Sequence, residues 1–188
     1  AGPYLNVYNG ETLKLLHELG AGRWVLPAEL SRDMLAALQA RRPDGMETEV
    51  QVFGRLPLAL SARCFTARAH HLPKDECEFR CRDYPDGLPL ATREGQRFLT
   101  INGIQTQSGS TSCLVAELPE LRAIGVDVLR LSPQARGMHD IVQVFRDALD
   151  GRLAPAAAET RLAVHMPDGA CNGYWRGEPG MGWQPHAD

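Results

Sequence analysis

Residues 23–53, RWVLPAELSRDMLAALQARRPDGMETEVQVF, contain one whole strand–helix–strand unit. Residues 23–26 are a short aromatic and β-branched run of the kind that forms a strand. Beyond Pro27 the side chains of Leu30, Met34, Ala37 and Leu38 fall on one helical face that lasts to Ala40. Pro43-Asp44-Gly45 makes a turn, and residues 47–53 read as the next strand. A strand followed by a helix and another strand implies a crossover connection and parallel pairing.

The same alternation extends outward in both directions. Upstream, residues 3–8 read as a strand and residues 12–19 as a helix bearing Leu13, Leu15, Leu16 and Leu19, stopped by Gly20 and Gly22. Downstream, residues 56–85 have no clear period and carry cysteines and charges. Residues 87–92 and 97–102 then read as a strand pair around Arg93-Glu94-Gly95-Gln96. A helix over 111–124, restarted at Pro119, leads to a strand at 126–131 and a helix at 140–149 ended by Gly151. Residues 154–158 are a linker or a helix start. From 166 to 188 the chain is a Gly/Pro-rich tail with Trp175 and Trp183 as its bulky anchors.

About four such units are legible, and a closed eight-unit barrel needs about 250 residues. The chain also opens on a strand pattern with no initiator Met. The expected fold is therefore α/β: a partial TIM-type (β/α) barrel, roughly the carboxy-terminal half, in one domain over 1–188 with a cysteine-bearing insert at 56–85. A complete small open sheet is the alternative.

Composition narrows the function classes. Among 188 residues, 20 Lys and Arg face 23 Asp and Glu, a net charge of −3, and this supplies no basic excess for a nucleic-acid backbone. The hydrophobic share of 44% is enough for a packed core. No apolar run is long enough to span a membrane, and residues 1–6 have no signal-peptide pattern, so a cytoplasmic protein is expected. Five cysteines, an odd and unevenly spaced set, do not make a disulfide framework.

Cys64, Cys77 and Cys81 read C-x(12)-C-x(3)-C across the one segment without a period. Thiolates on a loop suit soft metals, and this spacing is equally compatible with an iron–sulfur cluster, zinc or ordinary reduced thiols. Cys113, at the head of a predicted helix, and Cys171, in the tail, read as small buried hydrophobes. His70 and His71 read as solvent-facing loop residues, and His17, His139, His165 and His186 as surface or packing residues. Past the ends of the expected strands lie Asn6, Asn9, Glu29, Asn102, Gln105, Thr106, Arg130 and Ser132, a polar ring on the working face of a barrel. Of these, Asn102, Gln105 and Arg130 are the candidate substrate-binding residues, and the others equally suit caps and turns. The glycines at 177–182 have the wrong spacing for a dinucleotide loop, and no HExxH, Walker or GxSxG motif occurs.

Four blocks carry a resemblance: FGRLPLALSARCFTAR at 53–68 with KDEC at 74–77 and Cys81, FLTINGIQTQS at 98–108, GVDVLRLSP at 125–133, and NGYW at 172–175. In these the chain resembles the UbiV family of anaerobic ubiquinone-biosynthesis proteins, within the collagenase-like peptidase superfamily. The resemblance implies a barrel-type fold and a 4Fe-4S iron–sulfur cluster on four cysteines. Three of these match Cys64, Cys77 and Cys81, and the fourth is expected ahead of Ala1. It further implies a heterodimer with the homologous subunit UbiU, association with the lipid-carrier protein UbiT, and oxygen-independent hydroxylation of a quinone precursor. Peptidase members of the superfamily carry a Glu, a His-Gly step and a cysteine pair. Here Glu49 remains, but Phe53, Pro57 and Ser61-Ala62 stand at the other positions, so the base and a thiol of that chemistry are missing. Two readings follow: a redox component of quinone hydroxylation, or a non-catalytic partner-binding module with zinc or free thiols.

Overall fold

The computed structural model describes residues 1–186, so residues 187 and 188 of the expected tail lie outside the described residues. Residues 3–8 do not form the expected strand. Pro3–Leu5 is one 3-10 turn, closed by Asn6 in the left-handed conformation (φ 52°), and a reversed φ breaks an extended run. Asn9 then accepts a hydrogen bond from the Thr12 N–H (2.9 Å) and caps α1 (Gly10–Glu18). β1 (Arg23–Val25) and α2 (Arg32–Gln39), capped by Ser31, follow as expected, and α2 leads to β2 (Glu47–Leu60).

β2 runs seven residues past the expected end at Phe53 and changes partners on the way. Its first half pairs in parallel with β1 on one side (Val25 opposite Glu49). Its second half is held by an antiparallel meander. Beyond the short helix α3 (Phe65–Ala69) come β3 (Leu88–Ala91), β4 (Arg97–Asn102) and β5 (Gln105–Cys113). β5 lies against β2 from Phe53 opposite Cys113 to Leu60 opposite Gln105, with irregularities on both sides of Pro57, which has no N–H for the ladder. The segment without regular structure therefore begins after Leu60, not at 56.

A 3-10 turn at Val115–Glu117 opens α4 (Leu118–Ile124), with Pro119 in its first turn. The expected helix over 111–124 thus starts late, because residues 111–113 belong to β5. β6 (Val128–Leu131) returns to β2 on the side away from β1, again in parallel (Val50 opposite Leu129). α5 (Met138–Leu149), α6 (Pro155–Leu162) and β7 (Ala170–Cys171), which pairs with β5, complete the chain. The seven strands make one mixed sheet in the order β1-β2-β5-β4-β3, with β6 on β2 and β7 on β5. The fold is α/β. Among the described residues the sheet is open and no closed barrel forms, and no helix is long and apolar enough to cross a membrane.

The core lies where the β1-β2-β6 trio meets the helices, with Trp24, Leu35, Val52, Leu121, Ile141 and Val144 fully buried or nearly so. α5 and α6 are tied together by Asp140, which accepts from His165 Nε2 at 2.8 Å and from Arg161 at 2.5 Å. The His165 hydrogen bond, then that of Arg161, hold the Asp140 carboxyl below its ordinary value. A lowered carboxyl stabilises the fold above the unfolded value of 3.8, and that contribution disappears as pH falls through the folded one. Asp140→Asn is therefore expected to melt below the parent protein near neutrality, with the gap closing below about pH 4. A gap in Tm that stays constant on acidification would refute the assignment.

Candidate functional site

Three of the five cysteines share one lobe at the end of β2. Cys64 caps α3, its Sγ accepting from the Ala67 N–H at 3.4 Å. α3 packs on a 3-10 turn at Arg80–Asp83, which contains Cys81. The lobe is tied to the β4–β5 turn by the Phe65 N–H on the Gly103 carbonyl (3.1 Å) and by the Gly103 N–H on Thr66 Oγ1 (3.2 Å). His70 meets Tyr84 at 3.1 Å, a contact the sequence reading of a solvent-facing loop histidine did not anticipate. Between Cys77 and Cys81 the residues Glu78 and Phe79 are both left-handed (φ 52°), and Arg82 stacks on the Phe79 ring at 5.0 Å. Two consecutive non-glycine residues in that region cost about 1–2 kcal/mol each.

The thiols fall into two classes. Cys64, Cys77 and Cys81 are free and half-buried. Cys113 and Cys171 are free and buried, as expected, although Cys113 ends a strand and does not open a helix. Burial pushes the Cys113 thiol up to about 12 and that of Cys171 to about 11, so neither is a thiolate near neutrality. Cys64, Cys77 and Cys81 are the half-buried thiols within reach of the surface, and their chemistry fits iron or zinc. Their spacing is not that of a formed coordination sphere. Among the described residues no group of three or more His, Cys, Asp or Glu side chains is gathered closely enough to hold a metal ion.

The candidate substrate-binding residues separate into two places. Asn102 and Gln105 face each other across the β4–β5 turn, where Gln105 Nε2 donates to the Tyr4 hydroxyl at 3.0 Å. Arg130 is on β6 opposite Gln51, whereas Gln105 lies opposite Leu60, so roughly 30 Å of β2 separates them at about 3.3 Å per residue. Arg130 is bound to Glu49, whose carboxylate, 8% exposed, also takes Arg23 at 3.4 Å. Elsewhere in the ring, Asn9 is a helix cap and Glu29 accepts from the Tyr8 hydroxyl.

Asn102 and Ser132 line a polar cleft of about 330 Å³ that the sequence did not reveal. Its central charge is the part-buried Asp168, which receives both Arg55 and Arg97 (2.9 Å to the latter). Arg55 and Asp168 stand 113 residues apart in the chain, and no local pattern links them. Gly54, beside Arg55, has φ 109°, and a Cβ there would run into Ser132 on the strand end opposite, so this close approach of β2 and β6 requires glycine.

The family model for peptidase family U32 matches residues 2–184, across the sheet, the lobe and the tail alike. The chain belongs to peptidase family U32. No solved structure matches it. Within this family U32 chain, the positions at which peptidase members of the superfamily are expected to carry catalytic groups are given over to structure. Phe53 is fully buried, with its ring edge-on to Phe145 at 5.9 Å, and Pro57 lies at the irregular register of β2. Glu49 is neutralised by two arginines. No base and thiol pair for acyl transfer stands at these positions.

Proposed function

We propose that this U32 chain is the iron–sulfur component of an oxygen-independent hydroxylation of a quinone precursor, a member of the UbiV group acting with a UbiU-type homologous subunit and a UbiT-type lipid carrier. The observation that carries this reading is the partition of the thiols: the three in the lobe are half-buried and free, and the other two are sealed in the core with raised pKa values. The sequence blocks at 53–68, 74–77 and 98–108 support it, and so does the replacement of a peptidase histidine by a core phenylalanine. Cys64, Cys77 and Cys81 would hold three corners of the cluster, with the fourth ligand supplied from outside this set. A bound cluster supplies one-electron chemistry whose potential is set by hydrogen bonds and exposure around its sulfurs. The Ala67 N–H already donates to the sulfur of Cys64.

The natural protein at full length, purified under argon, is expected to contain iron and acid-labile sulfide at about four each per chain. Cys77→Ala is expected to lose most of both with an unchanged circular-dichroism spectrum, because Cys77 is a half-exposed lobe residue. Cys113→Ser is expected to keep them. Zinc in place of iron, or a colourless protein whose cysteine variants still bind the partner, would replace this reading with the partner-binding module.

A further inference from the structure

Behind the tail is a small cavity of about 30 Å³, lined by Leu26, Val50, Leu114, Cys171 and Trp175 among others, with room for little more than a single polar atom and its neighbours. Beside it opens a larger cleft of about 320 Å³ walled by Leu56, Leu58, Phe98, Leu99, Tyr174 and Met181. Leu56, Cys171, Tyr174 and Gly180 line both. Leu58, Phe98 and Met181 leave an apolar wall open to solvent. This volume is in the range of small-molecule sites, which are mostly apolar with a few placed polar groups.

The polar group of the pair belongs to the small cavity, which Trp175 lines while it does not line the larger cleft. The residue is 4% exposed, and its Nε1–H, a donor only, has no hydrogen-bond partner among the described residues. Buried donors in native proteins almost always have a partner. Trp24, fully buried, gives its N–H to Thr48 at 2.9 Å.

The tail around the cleft is built rigidly. Asn172 donates to the Gln184 carbonyl (2.8 Å) and accepts from the Gln184 N–H (2.9 Å), and the Gly182 N–H reaches the Pro179 carbonyl (2.8 Å). A Cβ on Gly173 would strike the Pro179 carbonyl, and one on Gly180 would strike the Tyr174 ring. These bonds and close contacts fix the loop that carries Tyr174, Gly180 and Met181.

We propose that the paired cavity binds a small apolar molecule bearing one hydrogen-bond acceptor, a carbonyl or ether oxygen. The oxygen takes the Trp175 N–H, and the hydrocarbon part fills the cleft against Leu58, Phe98 and Met181. The site is independent of the iron–sulfur reading, since none of Cys64, Cys77 and Cys81 lines either cavity.

Acetophenone and ethylbenzene, close in size and differing in the carbonyl, serve as probes. In ¹⁵N-labelled protein the three tryptophans give three indole N–H signals. The one assigned by its loss in Trp175→Phe is expected to shift saturably with acetophenone. Ethylbenzene is expected to bind about five- to ten-fold more weakly, the share of one hydrogen bond. In Trp175→Phe that preference is expected to vanish. Leu58→Asn, at a half-exposed wall position that does not threaten folding, is expected to weaken both probes. Equal affinities in the parent protein, or an indole signal that neither probe moves, would overturn the proposal even if Trp175→Phe fails to fold.

Discussion

Phe53→Ala is expected to lower the unfolding free energy by about 3–5 kcal/mol, the cost of emptying a large aromatic site in a packed core. Phe53 is fully buried, and its ring meets Phe145 of α5 edge-on at 5.9 Å. It also occupies the point where β2 changes partners: its Cα is opposite Leu131 of β6 and Cys113 of β5, and its carbonyl accepts from Ser132 at 2.8 Å. Loss of the ring would therefore loosen the helix layer and both sheet partners together. Domains of this kind are stable by only about 5–15 kcal/mol, so the variant should unfold at markedly lower urea concentration with little change in slope. Phe53→Leu, which keeps most of the volume, is expected to lose less than half as much. Phe53→His is expected to lose about as much as the alanine variant, because a buried imidazole there has no partner. An alanine variant within about 1 kcal/mol of the parent would show that the site relaxes and that Phe53 is not a keystone of the sheet.

The sequence made the regular parts of this fold legible wherever apolar residues recur at a fixed period. Residues 23–26, 97–102 and 126–131 mark β1, β4 and β6 within two residues of the observed ends. β5 was invisible for a physical reason. Its residues QTQSGSTSC carry almost no hydrophobic signal, and yet Ser108, Thr111 and Ser112 are buried, because the strand is held in mid-sheet by backbone pairing on both sides. The length of β2 was hidden by Pro57, which reads as a breaker but sits at a register irregularity where the missing N–H does no harm. The thiol lobe could be located from spacing alone, since its three cysteines lie within one aperiodic segment. The contacts of Asp168 could not, because its partners are on strands far away in sequence.

Asp168→Ala is expected to cost about 1.5–3 kcal/mol, the range for losing hydrogen bonds to a charged group, because its pair with Arg55 is part-buried. The Asp168 side chain is 13% exposed and that of Arg55 is 17%. The Arg55 guanidinium also donates to the carbonyls of Ser108 (3.1 Å) and Gly109, so it is fixed in place and cannot swing out to water when its carboxylate is deleted. The second ion pair of Asp168, to Arg97 at 2.9 Å, is half-exposed on the arginine side, and Arg97→Ala is expected to cost no more than about 1 kcal/mol. The asymmetry separates a part-buried anchor from a half-exposed pair on the same carboxylate. It should persist at high salt, because screening reaches partly buried pairs less than exposed ones. Arg55→Met combined with Asp168→Leu is expected to recover most of the loss, since an apolar pair of similar volume removes the stranded charge. Urea unfolding of the three variants decides the matter. If Asp168→Ala costs no more than Arg97→Ala, the tail that contains Asp168 is anchored by Trp175 and the Asn172 bonds instead.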